Sequence, residues 1–172
     1  MHKKRISVLS GAGISAESGL RTFRNSDGLW EEYRIEDVAT PQAFAKDPAL
    51  VLRFYDARRK QVIAAEPNAA HLSIAQLEND FHVDIITQNI DGLHQASGIP
   101  EAQVIELHGN STYAQCLDCR NRYEIGALRA AFDRDGDVPA CTTCGGLVKT
   151  ATISFGQAMP EEPMHRAQEM TD

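Results

Sequence analysis

Four cysteines set the first limit on this fold. Cys116-Leu117-Asp118-Cys119 and Cys141-Thr142-Thr143-Cys144 form two pairs, each with a two-residue gap. Two cysteines at that spacing reach one metal ion, and two such pairs supply four thiolates, the donor set of closed tetrahedral zinc sites. The connection between the pairs is slightly longer than the common zinc-ribbon spacing and still compatible with it. Gly145-Gly146 follows the second pair as in zinc knuckles, which favours a metal over a redox or free-thiol set. Four protein thiolates leave no open coordination position. The zinc assigned to Cys116, Cys119, Cys141 and Cys144 is therefore structural, and stabilises a module too small to bury a core alone.

That module spans 111–148, where composition turns to cysteines, arginines and turn residues. The rest of the 172-residue chain is long enough for one main domain, 1–110 with 149–172. The net charge of -7 comes from acids spread along the chain, so general affinity for nucleic acid, including a nucleic-acid-binding zinc ribbon, is disfavoured. The basic start MHKKRISVLSGAG runs from a few apolar residues straight into a glycine turn and lacks a signal-peptide core. No run approaches the roughly 18 apolar residues of a membrane helix. These features predict a cytoplasmic chain with no membrane partner, where reduced thiols suit metal rather than disulfides.

Along the main domain, Ile6–Leu9 reads as a short buried strand followed at once by a turn that opens a helix, Ser10-Gly11-Ala12-Gly13-Ile14-Ser15-Ala16. Between Leu29 and Ala65, Val51, Leu52, Phe54, Tyr55, Ala57, Val62 and Ile63 recur at helical spacing, and Pro41 and Pro48 are placed to start helices. His71–Asn79 reads as another helix. Val83–Thr87 and Gln103–Leu107 read as buried strands that end in polar groups, Gln88-Asn89-Ile90-Asp91 and His108-Gly109. Lys149–Phe155 resumes strand character, and 157–172 leads from a loop into a helix. Strands alternating with helices predict an α/β fold, a Rossmann-like parallel sheet with helices on both faces plus the inserted zinc module. Open sheets of this kind bind ligands at the carboxyl ends of their strands, where these polar groups fall.

Gly11-Ala12-Gly13-Ile14-Ser15-Ala16 fits the GxGxxG/A dinucleotide pattern, in which glycines admit a tight turn and the close approach of a pyrophosphate. Alone the pattern is weak, and an ordinary tight strand-to-helix turn is the alternative reading. No second strand with an acidic ribose ligand follows within about 30 residues, as a dehydrogenase would require. The stretch GLRTFRNSDGLW follows instead, with Arg21, Phe23, Arg24 and Trp30 suited to phosphate and ring contacts.

Taken together, GAGISAESGLRTFR, TQNIDGLH, ELHG, CLDC and CTTC resemble the sirtuin signature in order and rough spacing, over essentially the whole chain. The resemblance implies an NAD-dependent protein-lysine deacylase that releases nicotinamide and O-acyl-ADP-ribose, with acylated lysine side chains of proteins as substrates. Carried over residue by residue, Gly11, Ala12, Gly13, Ile14 and Ala16 lie against the cofactor phosphates, and Phe23 and Arg24 cover the nicotinamide ribose side. Gln88, Asn89, Ile90 and Asp91 build the nicotinamide pocket, Asn89 orienting the ribose and Asp91 accepting from the amide. His108 is the general base, a role that suits a neutral imidazole near pH 7. Strand-end Asn and Asp also cap helices, and the two roles can coexist.

Tyr55 and Arg58, three apart on a helix, share a face. They match the Tyr-x-x-Arg pair of the sirtuin subgroup that removes succinyl and malonyl groups, in which the pair binds the acyl carboxylate. Without that match, a packed tyrosine and a solvated arginine would be the simpler reading. Phe155 is placed along the acyl-lysine tunnel. Gln157 departs from the family pattern, where a glutamate commonly follows Phe-Gly, and this bears on fine specificity in a segment that pairs with the substrate backbone.

Complete sirtuins continue with a Gly-Thr-Ser segment and an Asn-containing segment that bind the adenosine half of NAD, and the sequence ends at Asp172 before either. The expectation is a fragment or a short form with an uncovered sheet edge that favours self-association. Competing readings are an NAD-dependent protein ADP-ribosyltransferase, which shares the nicotinamide-release step, and a catalytically inactive binding module.

Overall fold

The computed structural model describes residues 3–21, 29–30, 33–135 and 138–171. The first third contains strand β1 (Lys4–Ser10), a 3-10 helix (Ala12–Ser18), the short strands β2 (Leu29–Trp30) and β3 (Tyr33–Arg34), and helices α1 (Ile35–Val38), α2 (Pro41–Lys46) and α3 (Pro48–Ala64). Helix α4 (Ala69–Gln76), strand β4 (Phe81–Thr87), helix α5 (Leu93–Ala96) and strand β5 (Val104–Glu106) follow. The cysteine-bearing stretch holds β6 (Gly109–Cys116), β7 (Arg122–Glu124) and helix α6 (Ile125–Asp135), and β8 (Val148–Thr152) and α7 (Glu161–Glu169) close the chain.

These elements group into two compact units, described separately. Unit one comprises Met1–Phe23, Ala64–Gly109 and Ala158–Asp172. Its sheet runs β1-β4-β5, all parallel, with Ile6 opposite Val83 and Ile86 opposite Ile105. Parallel strands need crossovers, and the buried, β-branched β4 is the strand that both neighbours and both faces cover. On one face Val83, Ile85, Ile99 and Val104 form a core with Val8, Ile74, Leu77 and Phe81 packed against it. On the other, Ile86, Ile105 and Ala167 of α7 pack together with Leu107 and Met170.

Two local features depart from a simple pattern. The segment after Gly11 is a 3-10 helix rather than the opening of an α-helix. Its first i to i+3 bond runs from Ile14 N to Gly11 O (3.1 Å), and two of its carbonyls also hold partners far along the chain, Ile14 O accepting from Asn68 Nδ2 (2.7 Å) and Gly11 O from Asn89 Nδ2 (3.2 Å). Gly19, at φ 83°, ends the segment in the left-handed region that glycine enters at little cost. Helix α4 starts at Asn68, whose side chain accepts from Ala70 N and His71 N while His71 Nδ1 accepts from Asn68 N, a reciprocal capping box.

Unit two comprises Arg24–Ile63 and Asn110–Gln157. It groups the cysteine-bearing stretch with helices α1–α3, because Val38, Phe44, Val51, Leu52 and Phe54 share one core with Ala114, Leu128 and Val148. Its three-stranded sheet runs β7-β6-β8, with β6 and β7 antiparallel. Helix α6 is absent from the sequence reading, although Ile125, Leu128 and Phe132 carry helical spacing. Asp56 of α3 ties the helices together by ion pairs with Arg129 of α6 and with Arg59 (3.0 Å) of its own helix.

Candidate active site and metal centre

In unit one the ends of β1 and β4 lie side by side, with Ser10 opposite Thr87 and the ladder continued by Gln88 N donating to Ser10 O at 3.0 Å. This register delivers the glycine turn and the Gln88–Asp91 segment to the same edge. Asn89 and Asp91 are buried. Asn89 Nδ2 donates to Gly11 O (3.2 Å) and Ser15 Oγ (3.1 Å), and Ser15 Oγ donates to Asp91 Oδ2 (2.7 Å). The other Asp91 oxygen accepts Leu93 N (3.0 Å) and so turns the chain into α5. The two strand-end residues singled out from sequence thus grip the glycine turn, and Asp91 also starts the next helix. Gly11, Ala12, Gly13 and Ile14 follow directly. A Cβ built on Gly11 or Gly13 would meet nothing within 4 Å, so an approaching phosphate finds open backbone there. Phe23 and Arg24 lie outside the described residues.

His108 stands at the end of β5 and is partly exposed. Its Nδ1 lies 2.8 Å from the Gln88 carbonyl oxygen. A carbonyl only accepts, so Nδ1 carries the proton and the neutral ring presents Nε2 as a proton acceptor. One backbone contact therefore fixes the ring's tautomer.

Behind this edge runs a polar chain that the sequence reading passed over. Ser10 Oγ donates to Thr87 Oγ1 (2.9 Å), and Asn89 N donates to the same oxygen (3.1 Å). With its proton committed to Thr87, Ser10 Oγ accepts from His94 Nε2 at 2.8 Å. His94 and His71 are fully buried, their rings edge to face at 5.0 Å. Burial, and then His71, lower the His94 pKa to about 4, against the pull of Asp91. Burial likewise lowers that of His71. Both rings are neutral near pH 7, and each keeps one buried nitrogen without a hydrogen-bond partner among the described residues. The Asn68-to-His71 capping spacing was the available signal for one of them.

In unit two the four cysteine sulfurs lie within 4.8 Å of one another, with Cys116 to Cys144 and Cys119 to Cys141 both 3.5 Å. A tetrahedral zinc with bonds of about 2.3 Å places its thiolates roughly 3.8 Å apart, so the residues fit the metal. The knuckles are built for this. Gly145, at φ 77°, lets its N–H reach Cys141 O (2.9 Å), and Arg120 takes the equivalent left-handed position, φ 65°, after the first pair. The Tyr123 hydroxyl lies 2.9 Å from Cys141 Sγ, and this contact is the first cause lowering the thiol's pKa to about 5.

Tyr55 and Arg58 both lie on α3. Tyr55 is buried, and burial pushes its pKa up against the effects of Thr152 of β8 and of Arg58. Phe155 follows β8 and is exposed, its N–H donating to Ala39 O at 2.8 Å. Gln157 closes the same turn, its Oε1 accepting Ser154 N at 3.1 Å, a role a glutamate oxygen would also fill.

A parallel α/β sheet with a glycine turn and polar strand ends at one edge, accompanied by a four-thiolate module, defines a Rossmann-like nucleotide-binding protein with structural zinc. The profile of the Sir2 family matches residues 11–172, and the chain belongs to that family. It is 42% identical over 173 residues to the NAD-dependent protein deacylase of Aquifex aeolicus (strain VF5), covering 99% of this chain and 70% of the relative. It is 45% identical over 172 residues to the NAD-dependent protein deacetylase of Rhodopseudomonas palustris, covering 98% and 67%. A solved mutant Sir2 homologue in complex with ADP-ribose superposes with a TM-score of 0.82 at 40% identity, over 98% of this chain and 65% of that one. The chain thus spans about two thirds of the length of the proteins it matches.

Proposed function

We propose that this chain carries the base and the nicotinamide-side cofactor site of an NAD-dependent protein-lysine deacylase. The observation that carries the reading is the His108 tautomer. Nδ1–H is committed to the Gln88 carbonyl, and Nε2 is left to take a proton at the sheet edge that also holds Asn89 and Asp91. NAD supplies the ribose that receives the acyl group. The remaining work falls to this chain. Gly11, Ala12, Gly13, Ile14 and Ala16 admit the phosphates, Gln88 to Asp91 shape the pocket, and the Ser10–Thr87 bond holds Asn89 N in place. His108 Nε2 removes a proton from a ribose hydroxyl.

For the acyl group, we place the carboxylate of a succinyl- or malonyl-lysine on Tyr55 and Arg58. Their common helix face supports this, as does the burial of Tyr55, which leaves its hydroxyl in a setting where a charge-assisted bond is strong. Phe155 contributes apolar surface for the lysine stem.

The test is to incubate the zinc-loaded chain with NAD and matched acetyl-lysine and succinyl-lysine peptides and follow deacylated peptide by mass spectrometry. His108→Ala is expected to lose about 10²- to 10⁴-fold in turnover of both peptides. Arg58→Met is expected to lose succinyl turnover by about tenfold or more while sparing acetyl turnover. Equal loss on both peptides would remove Arg58 from acyl recognition. NAD cleavage that does not depend on the acyl group would favour ADP-ribosyl transfer instead.

A further inference from the structure

The cysteine cluster is held from outside as well as by its own knuckles. The Tyr123 hydroxyl oxygen, on the middle residue of β7, lies 2.9 Å from Cys141 Sγ and 3.3 Å from Thr142 Oγ1. It also accepts Thr142 N at 3.2 Å. A phenol has one proton to give. Thr142 supplies donors of its own, whereas a metal-bound thiolate can only accept, so that proton goes to sulfur. Thr143 N approaches the same sulfur at 3.4 Å. A second tie joins β7's approach to this knuckle, Asn121 Nδ2 donating to Thr143 Oγ1 at 2.6 Å.

Four thiolates around one Zn²⁺ leave a net charge of about -2 on the site, which nearby donors must offset wherever water is kept away. Cys119 and Cys144 are exposed and have solvent for this purpose, whereas Cys116 and Cys141 are buried, 1% and 4% exposed, and of these two it is Cys141 that the Tyr123 hydroxyl reaches. We propose that Tyr123 is an outer-sphere donor to the Cys141 thiolate that sets how slowly the site surrenders zinc, over and above the packing of its ring against the unit-two core. The inference is independent of the acyl-transfer reading.

Tyr123→Phe keeps the ring and removes only the hydroxyl. Zinc transfer from the purified protein to a chromophoric chelator is expected to run about tenfold faster in the variant. Thr142→Val, which keeps the backbone N–H, is expected to match the parent. In the Co²⁺-substituted protein, losing the donor raises the energy of the sulfur lone pairs, so the thiolate-to-metal charge-transfer band moves to longer wavelength. Transfer within twofold of the parent together with an unmoved band overturns the proposal, as does a parent that binds no zinc. Should Tyr123→Phe fold poorly, global 3-fluorotyrosine labelling provides the second arm, because it preserves packing and makes the phenol a stronger donor. The band should then move to shorter wavelength and zinc transfer should slow; no change in either overturns the proposal.

Discussion

The two polar centres of this chain are assembled by opposite means. At the strand ends of unit one, Ser10, Ser15, Asn89, Asp91 and His94 come from separate stretches of sequence, and a parallel sheet brings them together with hydrogen bonds between neutral or singly charged groups. In unit two, four sulfurs come from two local knuckles and have one another as close neighbours at 3.5 Å. The first arrangement is held by its own protein contacts. The second concentrates negative charge as soon as the thiols ionise, and only a cation offsets it. Ligand removal should therefore affect the two centres very differently.

The largest expected effect follows directly. Zinc binding to four-thiolate modules contributes on the order of 10 kcal/mol of apparent folding free energy near pH 7. Chelation should raise amide exchange across 110–157 towards free-chain rates, while amides of β1 and β4 keep their protection. Hydrogen exchange resolved by residue checks this. Retained protection in β6 and β7 after complete zinc removal would show that the hydrophobic core of unit two suffices without the metal.

Acid sharpens the same contrast from the other side. His94 is held well below its usual pKa, at about 4 in the folded protein against 6.5 in the unfolded chain, because burial disfavours the imidazolium. Sign follows from proton uptake. Below pH 6.5 the unfolded chain binds a proton that the folded one refuses, so this contribution is complete above 6.5 and is lost as the pH falls to about 4. After discounting for residual solvation the loss is about 2 kcal/mol, and His71 acts in the same direction. Exchange protection of β4 amides measured from pH 7 to 4.5 should fall along this course. The fall should be shallower in His94→Gln, which can still donate to Ser10. An identical slope in the variant would assign the acid sensitivity elsewhere.

How far the sequence reading reached differs between the centres for the same physical reason. The cysteine set was legible because its ligands are local, and four side chains with fixed gaps announce a shared ion. The strands β4 and β5 are legible as buried apolar runs, as are helix starts at Pro41 and Pro48; β1 is legible as a strand but, against expectation, is not a buried one, because it lies at the edge of the described sheet with Leu9 70% exposed and only Ser10 buried. Asn89, Asp91 and His108 stand out in the sequence by their place at strand ends. What no periodicity could show was that Asn89 and Asp91 turn inward to hold the glycine turn, or that His94 meets Ser10 and the edge of the His71 ring, because those contacts exist only once β1 and β4 are in register. Helix α6 was lost for another reason: cysteines, arginines and turn residues on either side masked Ile125, Leu128 and Phe132. The glycine turn opens a helix, as its pattern predicts; that the helix is 3-10, and that Asn68, far along the chain, donates to Ile14 O, has no signal in that pattern.

The smallest expected effect tests how tightly the metal centre is packed. A Cβ on Gly146 would fall 2.0 Å from Asp118 Oδ2 and 3.1 Å from Cys116 Sγ. The Asp118 carboxylate is exposed and can swing away, whereas the sulfur is buried and positioned for the metal, so it is the sulfur that makes the substitution costly. Gly146→Ala should cost about 1 kcal/mol in thermal stability of the zinc-loaded protein, the low end of overpacking penalties. Adding Asp118→Ala should restore only the part of that loss due to the carboxylate, a coupling that a double-mutant cycle measures. Complete restoration would mean that Cys116 yields freely and that the cluster tolerates adjustment. Partial restoration would mean that unit two fixes its sulfurs to within a few tenths of an ångström.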